Sequence, residues 1–240
     1  MKKFLSIILA RGGSKGIKNK NIKKLGKLPL IAWTIKEALK SKKNLTVYLS
    51  TDSKKIASIG KKYGAKIPFI RPKKFAKDIS SSVDAIEHAI NFFKKKNLNF
   101  DYVLLLEPTS PLRTYQDIDR AINKITSKNY DSLVSVSKLE AFHPSFLYEQ
   151  NKKGYLSPLR KTGSPLRKTG KKYIRRQDLE TIYFLEGSIY ISKVATLMKK
   201  RTFCHDKTIP FIMPKWKSIE IDDKLDLVMA EAIIKKKNLK

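Results

Sequence analysis

Short apolar runs alternate along this chain with longer segments in which apolar residues recur every three or four positions. Phe4–Leu9, Leu45–Ser50, Tyr102–Leu106 and Leu133–Val136 are rich in Ile, Leu and Val, the composition of strands buried on both faces. Between them, Leu30–Leu39, Lys54–Tyr63, Val83–Phe93 and Ile118–Ile125 carry apolar residues at helical spacing. Ser, Thr or Asp residues stand near their starts and Pro29 opens the first, as helix N-termini favour. This βαβα rhythm predicts an α/β fold: a Rossmann-like, three-layer arrangement around a mostly parallel sheet. Ligands of such sheets bind beyond the carboxyl ends of the strands, so the loops 10–21, 50–53 and 107–113 are the informative ones.

The rhythm breaks after Pro144. A polar, basic stretch follows, in which SPLRKTG occurs twice in tandem, at Ser157–Gly163 and Ser164–Gly170. An exact short duplication in a Pro- and Gly-containing loop reads as lengthening of an existing excursion, because surface loops tolerate insertion. The expectation is a single domain over residues 1–240 with an excursion at approximately 144–180. Order returns at Thr181–Ser192, Lys217–Ile221 reads as a last strand, and Leu225–Ile234 as a closing helix.

Charge changes the picture less than its size suggests. The formal net charge is +31, which points towards nucleic acid or another polyanion. Only 9 of the 52 basic residues are Arg, however, and the lysines are spread along the whole chain at the ends of helical patterns. Specific phosphate and base recognition leans on the planar fork of Arg, so solvated faces account for most of this charge and nucleic acid is not the expected partner. No apolar run approaches the roughly 18 to 20 residues of a spanning helix. The run Phe4–Ala10 is too short for a signal peptide and ends in Arg11, so it reads as a buried strand. A single cysteine, Cys204, leaves no intramolecular disulfide and no cysteine zinc site. The cytoplasm is the expected compartment.

The first informative loop reads RGGSKG, with neither the Walker nor the dinucleotide pattern. Gly12, Gly13 and Gly16 let backbone N–H groups approach an anion closely, Ser14 can donate a further hydrogen bond, and Arg11, Lys15 and Lys20 supply positive charge. Taken alone, the same residues also suit a plain strand-to-helix turn.

Wider matches decide between the two. ILARGGSKGIKNKNI resembles the N-terminal signature of the CMP-sialic acid synthetases, the acylneuraminate cytidylyltransferases. STD at Ser50–Asp52, RP…FAKD at Arg71–Asp78, LLLEPTSPLR at Leu104–Arg113 and HP at His143–Pro144 follow in family order. RRQDL at Arg175–Leu179, EGSIYI at Glu186–Ile191 and SIEIDDKLDL at Ser218–Leu227 complete the series. The resemblance implies a nucleotide-diphospho-sugar transferase fold, a homodimer formed through the excursion, and transfer of CMP from CTP to a nonulosonic acid, with pyrophosphate released. It also implies a divalent cation, Mg2+ or Mn2+.

By the same resemblance Arg11, Gly12, Gly13, Ser14, Lys15, Lys20 and Asn21 hold the nucleotide, together with Arg71 and Ser82. Arg11 and Lys15 face the charge that develops on pyrophosphate. Glu107, Arg176, Glu186 and Tyr190 fall at sugar-contacting positions, and Arg176 suits a sugar carboxylate through two parallel hydrogen bonds. Glu220 and Asp222 match an acidic pair that holds the metal. Two apart on a strand, they would project to one side, and Asp222 would be the main ligand. Glu107 and Glu186 replace amides, and an ionised carboxylate only accepts hydrogen bonds. Phe146 stands where some sialic acid enzymes have a lysine. These departures suggest a related sugar of the legionaminic acid type. Asp223 and Asp226 read instead as acids at a helix N-terminus.

Overall fold

The computed structural model describes residues 2–14, 16–139, 143–158 and 179–238. The second copy of SPLRKTG lies outside the described residues. The chain divides into two compact units, Met1–Val136 with Leu185–Lys240, and Ser137–Phe184. The larger unit is built on a six-stranded sheet. Its strands are β1 (Phe4–Leu9), β2 (Val47–Ser50), β3 (Tyr102–Leu106), β4 (Ser132–Lys138), β5 (Tyr183–Lys193) and β6 (Thr208–Ile212). Their spatial order is β6-β4-β5-β3-β1-β2. The pairs β1–β2, β1–β3 and β4–β6 are parallel, whereas β5 runs antiparallel to β3.

Alternation along the strands explains why the sheet is covered on both faces. Tyr102, Leu104 and Leu106 of β3 pack in one cluster with Ile31, Ile35 and Ala38 of α1 (Leu30–Leu39) and with Ile118, Ile122 and Ile125 of α4 (Tyr115–Ser127). Helix α2 (Lys54–Lys62) adds Ile56 to that layer. The intervening Val103 and Leu105 join Val83, Ile86 and Phe93 of α3 (Ser82–Lys94) on the opposite face, with Leu197 of α5 (Val194–Lys200). A period of two sends successive residues to opposite sides, so an all-apolar strand requires helices on both. A third cluster seats α6 (Lys224–Lys236) through Ala230 and Ile234 against Trp33, Leu112 and Ile221.

The predicted helix Leu30–Leu39 and the strands Phe4–Leu9 and Tyr102–Leu106 match the observed bounds. Asp223 caps α6 and forms a capping box with Asp226, as the acid cluster suggested. One expected element is absent. Lys217–Ile221 is not a strand: a 3-10 turn occupies Lys215–Lys217 and the backbone is then irregular to Asp223. The edge strand is instead β6, which pairs with β4 through five registered positions. Pro210 and the exposed Ile212 in β6 blurred its apolar signal.

In the smaller unit Tyr148–Gln150 and Leu156–Pro158 form a short antiparallel hairpin. His143 is structural here: its Nδ1 accepts the Ser145 N–H at 3.2 Å. Among the described residues no helix is long and apolar enough to cross a membrane.

Leu104 is fully buried at the centre of the sheet. Leu104→Ala should cost about 2–5 kcal/mol, read as a lower urea midpoint with an unchanged slope. A midpoint equal to that of the wild type would show that the sheet centre closes over the gap.

Candidate active site

At the carboxyl ends of β1 and β3 lies a cavity of about 510 Å3. Arg11, Ser14, Lys20, Asn21, Arg71, Ser82, Glu107 and Asp222 all line it, although the sequence scatters them over more than two hundred positions. Gly12 and Gly13 lie in the same loop without lining the cavity, and Gly12 N–H donates to Asp52 Oδ1 at 2.9 Å. The STD motif thus supplies a brace for the loop. Lys15 and Arg176 lie outside the described residues.

Arg71 is the most telling residue. It is 5% exposed, yet its Nε and Nη2 have no hydrogen-bond partner among the described residues. Burial lowers its pKa, opposed by the Asp52 and Glu107 carboxylates and reinforced by Arg11. A guanidinium never loses its proton under ordinary conditions, so this is a buried cation with two donors open. Such a group is costly to maintain without an acceptor. Asn21 adds the complementary feature: its side-chain N–H donates to the Arg11 carbonyl at 3.0 Å, and its Oδ1 is buried without a partner.

Two further cations of the cavity wall are engaged by acids, whereas Lys77 lines it without one among the described residues. Arg11 pairs with Asp78, and Lys20 Nζ lies 2.8 Å from Asp222 Oδ1. Lys20 is largely covered, whereas the Asp222 side chain is 74% exposed. Gly16 makes this closeness possible, since a Cβ there would lie 2.4 Å from the Asp222 carbonyl oxygen.

Glu220 and Asp222 leave the irregular 218–223 segment, so strand alternation does not orient them. Tethers do so instead. Thr109 Oγ1 donates to Glu220 Oε1 at 3.0 Å, and Ile221 N–H donates to the Thr109 carbonyl at 2.8 Å. Gly187, at φ +77°, leaves room for the Glu220 carboxylate, which a Cβ would approach to 3.1 Å. Burial raises the Glu220 pKa, helped by Asp222 and opposed by Thr109 and Lys20. No cluster of three or more His, Cys, Asp or Glu side chains poised for a cation exists among the described residues. Two carboxylate donors do suit a hard cation that keeps several waters and meets phosphate oxygens.

Glu107 stands on the wall shared with a second cavity of about 300 Å3. Tyr190, Val83, Leu105 and Phe203 give this smaller space an apolar lining, and Ser81, Ser82, Arg201, Thr202 and Cys204 give it a polar rim. Glu107 and Tyr190, both assigned to the sugar by resemblance, line this one cavity. Phe203, Thr202 and Cys204 were not recognised, because RTFC carries no motif and its loop is placed by the sheet alone. Glu186 lies deeper, 1% exposed. Its Oε1 accepts from the Ser188 hydroxyl and backbone N–H, and its Oε2 has no partner among the described residues.

Beneath both cavities Arg113, 1% exposed, donates to the carbonyls of Glu107 at 3.2 Å and Ser188 at 2.8 Å and to Thr34 Oγ1 at 2.6 Å. Burial pulls its pKa down to about 10, against the attraction of Glu186, Glu107 and Asp117.

A nucleotide-sized cleft at the strand ends, with buried cationic donors and flanking carboxylates, defines a nucleotide-handling α/β protein. The sequence profile of the cytidylyltransferase family matches residues 5–224, and the chain belongs to that family. It is 34% identical over 241 residues to the CMP-N,N'-diacetyllegionaminic acid synthase of Legionella pneumophila, covering 97% of this chain and 96% of that one. It is 30% identical to the pseudaminic acid cytidylyltransferase of Campylobacter jejuni, covering 97% of each chain. The N-acylneuraminate cytidylyltransferase of Escherichia coli is 34% identical over 98% of this chain and 53% of its own. Among solved structures, a CMP-2-keto-3-deoxy-manno-octonic acid synthetase complexed with CTP superposes with a TM-score of 0.69 at 16% identity. It covers 98% of this chain and 99% of its own, and at that identity it speaks for the fold alone.

Burial pushes Glu107 up to about 7, reinforced by Glu220 and opposed by Arg113, Lys20 and Arg71. A folded-state value above the ordinary 4.5 means that stability tied to this group is full below 4.5 and is lost as pH rises through about 7. Glu107→Gln should therefore gain on the wild type between about pH 5 and about pH 8, by roughly 1–3 kcal/mol. Parallel melting profiles for the two proteins across that range would show that the carboxyl ionises as it does in water.

Proposed function

We propose that this chain transfers CMP from CTP to the anomeric hydroxyl of a nonulosonic acid, giving the CMP-sugar and pyrophosphate. The observation that carries the reading is Arg71, a buried cation with two unpartnered donor atoms, which lines the cleft together with Asn21, Ser14, Arg11 and Lys20. The family and the relatives at 30–34% identity support the same chemistry.

Transfer of this kind needs alignment of the attacking oxygen with the α-phosphate and stabilisation of charge on the leaving pyrophosphate. Arg11 and Lys20 supply mobile positive charge: each exchanges a carboxylate for phosphate oxygens as the nucleotide enters. Lys15 joins them in our reading. Arg71, Asn21, Ser14 and Ser82 orient the nucleotide. The acceptor occupies the smaller cavity, where Glu107 and Tyr190 meet its polar groups and Phe203 covers an apolar substituent. Arg176 is assigned to its carboxylate. Glu107, Ser81 and Ser82 line both cavities, which supports binding of the two substrates side by side. Asp222 and Glu220 would hold Mg2+ or Mn2+, which when bound neutralises phosphate charge and polarises the reacting group.

We further propose a homodimer through the Ser137–Phe184 unit, which exposes Phe146, Leu147, Tyr148, Tyr155 and Leu156. That many exposed large apolar side chains on so small a unit suit a covered surface. The reaction would run in the cytoplasm.

Pyrophosphate release with CTP, UTP, ATP and GTP, each offered legionaminic, pseudaminic and N-acetylneuraminic acids, tests the reading. CTP-specific release with at least one of these sugars is expected. Release with another nucleotide, or with none of the sugars, would overturn it.

Asp78 competes with phosphate for Arg11. Asp78→Asn should tighten CTP binding by about two- to fivefold, the value of an exposed ion pair. Titration calorimetry reads this directly, and equal or weaker binding would remove Asp78 from the competition.

A further inference from the structure

Of the chain's many lysines, Lys217 alone is buried among the described residues, at 7% exposure. Its ammonium donates to Asp117 Oδ2 and, at 3.2 Å, to Thr114 Oγ1. Asp117 is fully buried at the start of α4 and also accepts the Thr114 backbone N–H at 2.9 Å. Burial works to raise its pKa, but the hydrogen bonds from Lys217 and Thr114 outweigh that and hold it below the ordinary carboxylate value. A charge pair this deep is expensive to desolvate. The capping of α4 needs no lysine, since Thr114 and Asp117 complete their capping box by themselves.

What the lysine adds is a connection. It fixes the entry to the irregular segment 218–223, in which no strand or helix sets side-chain direction. Three residues on, Glu220 reaches Thr109; five on, Asp222 reaches Lys20. Thr109 belongs to the loop that runs from Glu107 into α4, so the segment is sewn to that loop and its helix at successive points. We propose that the buried Lys217–Asp117 pair is a positioning device that holds Asp222 at the cleft and Glu220 on Thr109, which lines it. The assignment rests on the cytidylyl-transfer reading, because only there do these carboxylates have work to do.

Lys217→Met alone leaves the buried Asp117 carboxylate with only the half-exposed Arg120, 2.5 Å from its Oδ1, as a cationic partner and costs stability. The double variant Asp117→Asn with Lys217→Met removes both charges, leaves an oxygen for the Thr114 N–H, and is the informative protein. Lys217→Arg, which keeps the charge and a donor, is the rescue control. Trp216 reports on the segment, since its ring lies 5.2 Å from Lys217 Nζ. Trp33, the other tryptophan, packs in the cluster that contains Ile221, so the comparison is made in a Trp33→Phe background.

The double variant should melt cooperatively and keep its KM for CTP within about twofold of wild type, while kcat for pyrophosphate release falls about ten- to a hundredfold. Its tryptophan emission should become more accessible to acrylamide. Lys217→Arg should recover most of kcat. An unchanged kcat, an equal loss in KM and kcat, or unchanged quenching would each overturn the proposal. If the double variant does not fold, Lys217→Arg decides: the proposal stands if kcat follows the quenching and falls if the two separate. A wild type that turns over no CTP would sink the functional reading alone, and the quenching comparison would still judge the tether.

Discussion

The site depends on a guanidinium placed where water cannot reach it. Arg113 ties the end of β3, through the Glu107 carbonyl, to β5, through the Ser188 carbonyl, and both to α1 through Thr34. Each of these acceptors belongs to a different element. β5 is antiparallel to β3, and antiparallel strands that part towards a ligand site need something to fix how far they separate. Five donors in one rigid plane do this better than an ammonium on a flexible stem. The cost is a buried charge, offset by Glu186 and Asp117 nearby and by backbone dipoles. Glu186 becomes intelligible in the same terms: it sits beneath the cavities, bonded to Ser188 and facing the Arg113 charge, rather than on the cavity surface.

This frame explains which parts of the site were legible in the sequence. The loop from Arg11 to Asn21 was readable because strand, glycines and cations are contiguous there, and local order sets local geometry. The helices were readable because burial against a two-faced sheet imposes a period that survives in the sequence. The 218–223 segment was not. Its apolar residues, Ile219 and Ile221, alternate as a strand's do, but they alternate because Ile221 fills a pocket under α6, next to Ala230 and Trp33. A period of two says that alternate side chains are buried; it does not say that the backbone has found a neighbour to pair with. Phe203 was illegible for the opposite reason: a lone aromatic in a polar loop has no pattern, and only the path of the chain from α5 to β6 brings it to the cavity.

The large net charge also resolves once positions are known. Among the described residues Lys217 is the one buried lysine and Lys20, in the cleft, is largely covered, while most of the others carry their charge in solvent. Around the cleft, charge is balanced instead. Arg11 faces Asp78, Lys20 faces Asp222, and Asp52 braces the glycine loop. Partners held in exposed pairs exchange at little cost, whereas Arg71, buried and open, cannot relax onto a carboxylate. Among the described residues the cleft therefore combines a fixed cation, Arg71, which favours an anionic or acceptor-rich ligand, with exchangeable ones, Arg11 and Lys20, and with Lys77 on its wall.

Glu107 shows how burial can change what a residue is chemically. As an ionised carboxylate it only accepts hydrogen bonds, and it would be a poor substitute for the glutamine often found at this position in sialic acid enzymes. In the structure it is enclosed between two cavities, has Glu220 as a neighbour, and titrates near 7. Near neutrality much of it carries a proton, and a neutral carboxyl both donates and accepts, as an amide does. The amide differs in keeping its donor at every pH, while the carboxyl loses it as the pH rises. The replacement therefore preserves an amide's hydrogen-bonding pattern on the wall between the two cavities under near-neutral conditions. It also makes that pattern depend on the same burial and the same neighbouring acid that shape the cleft.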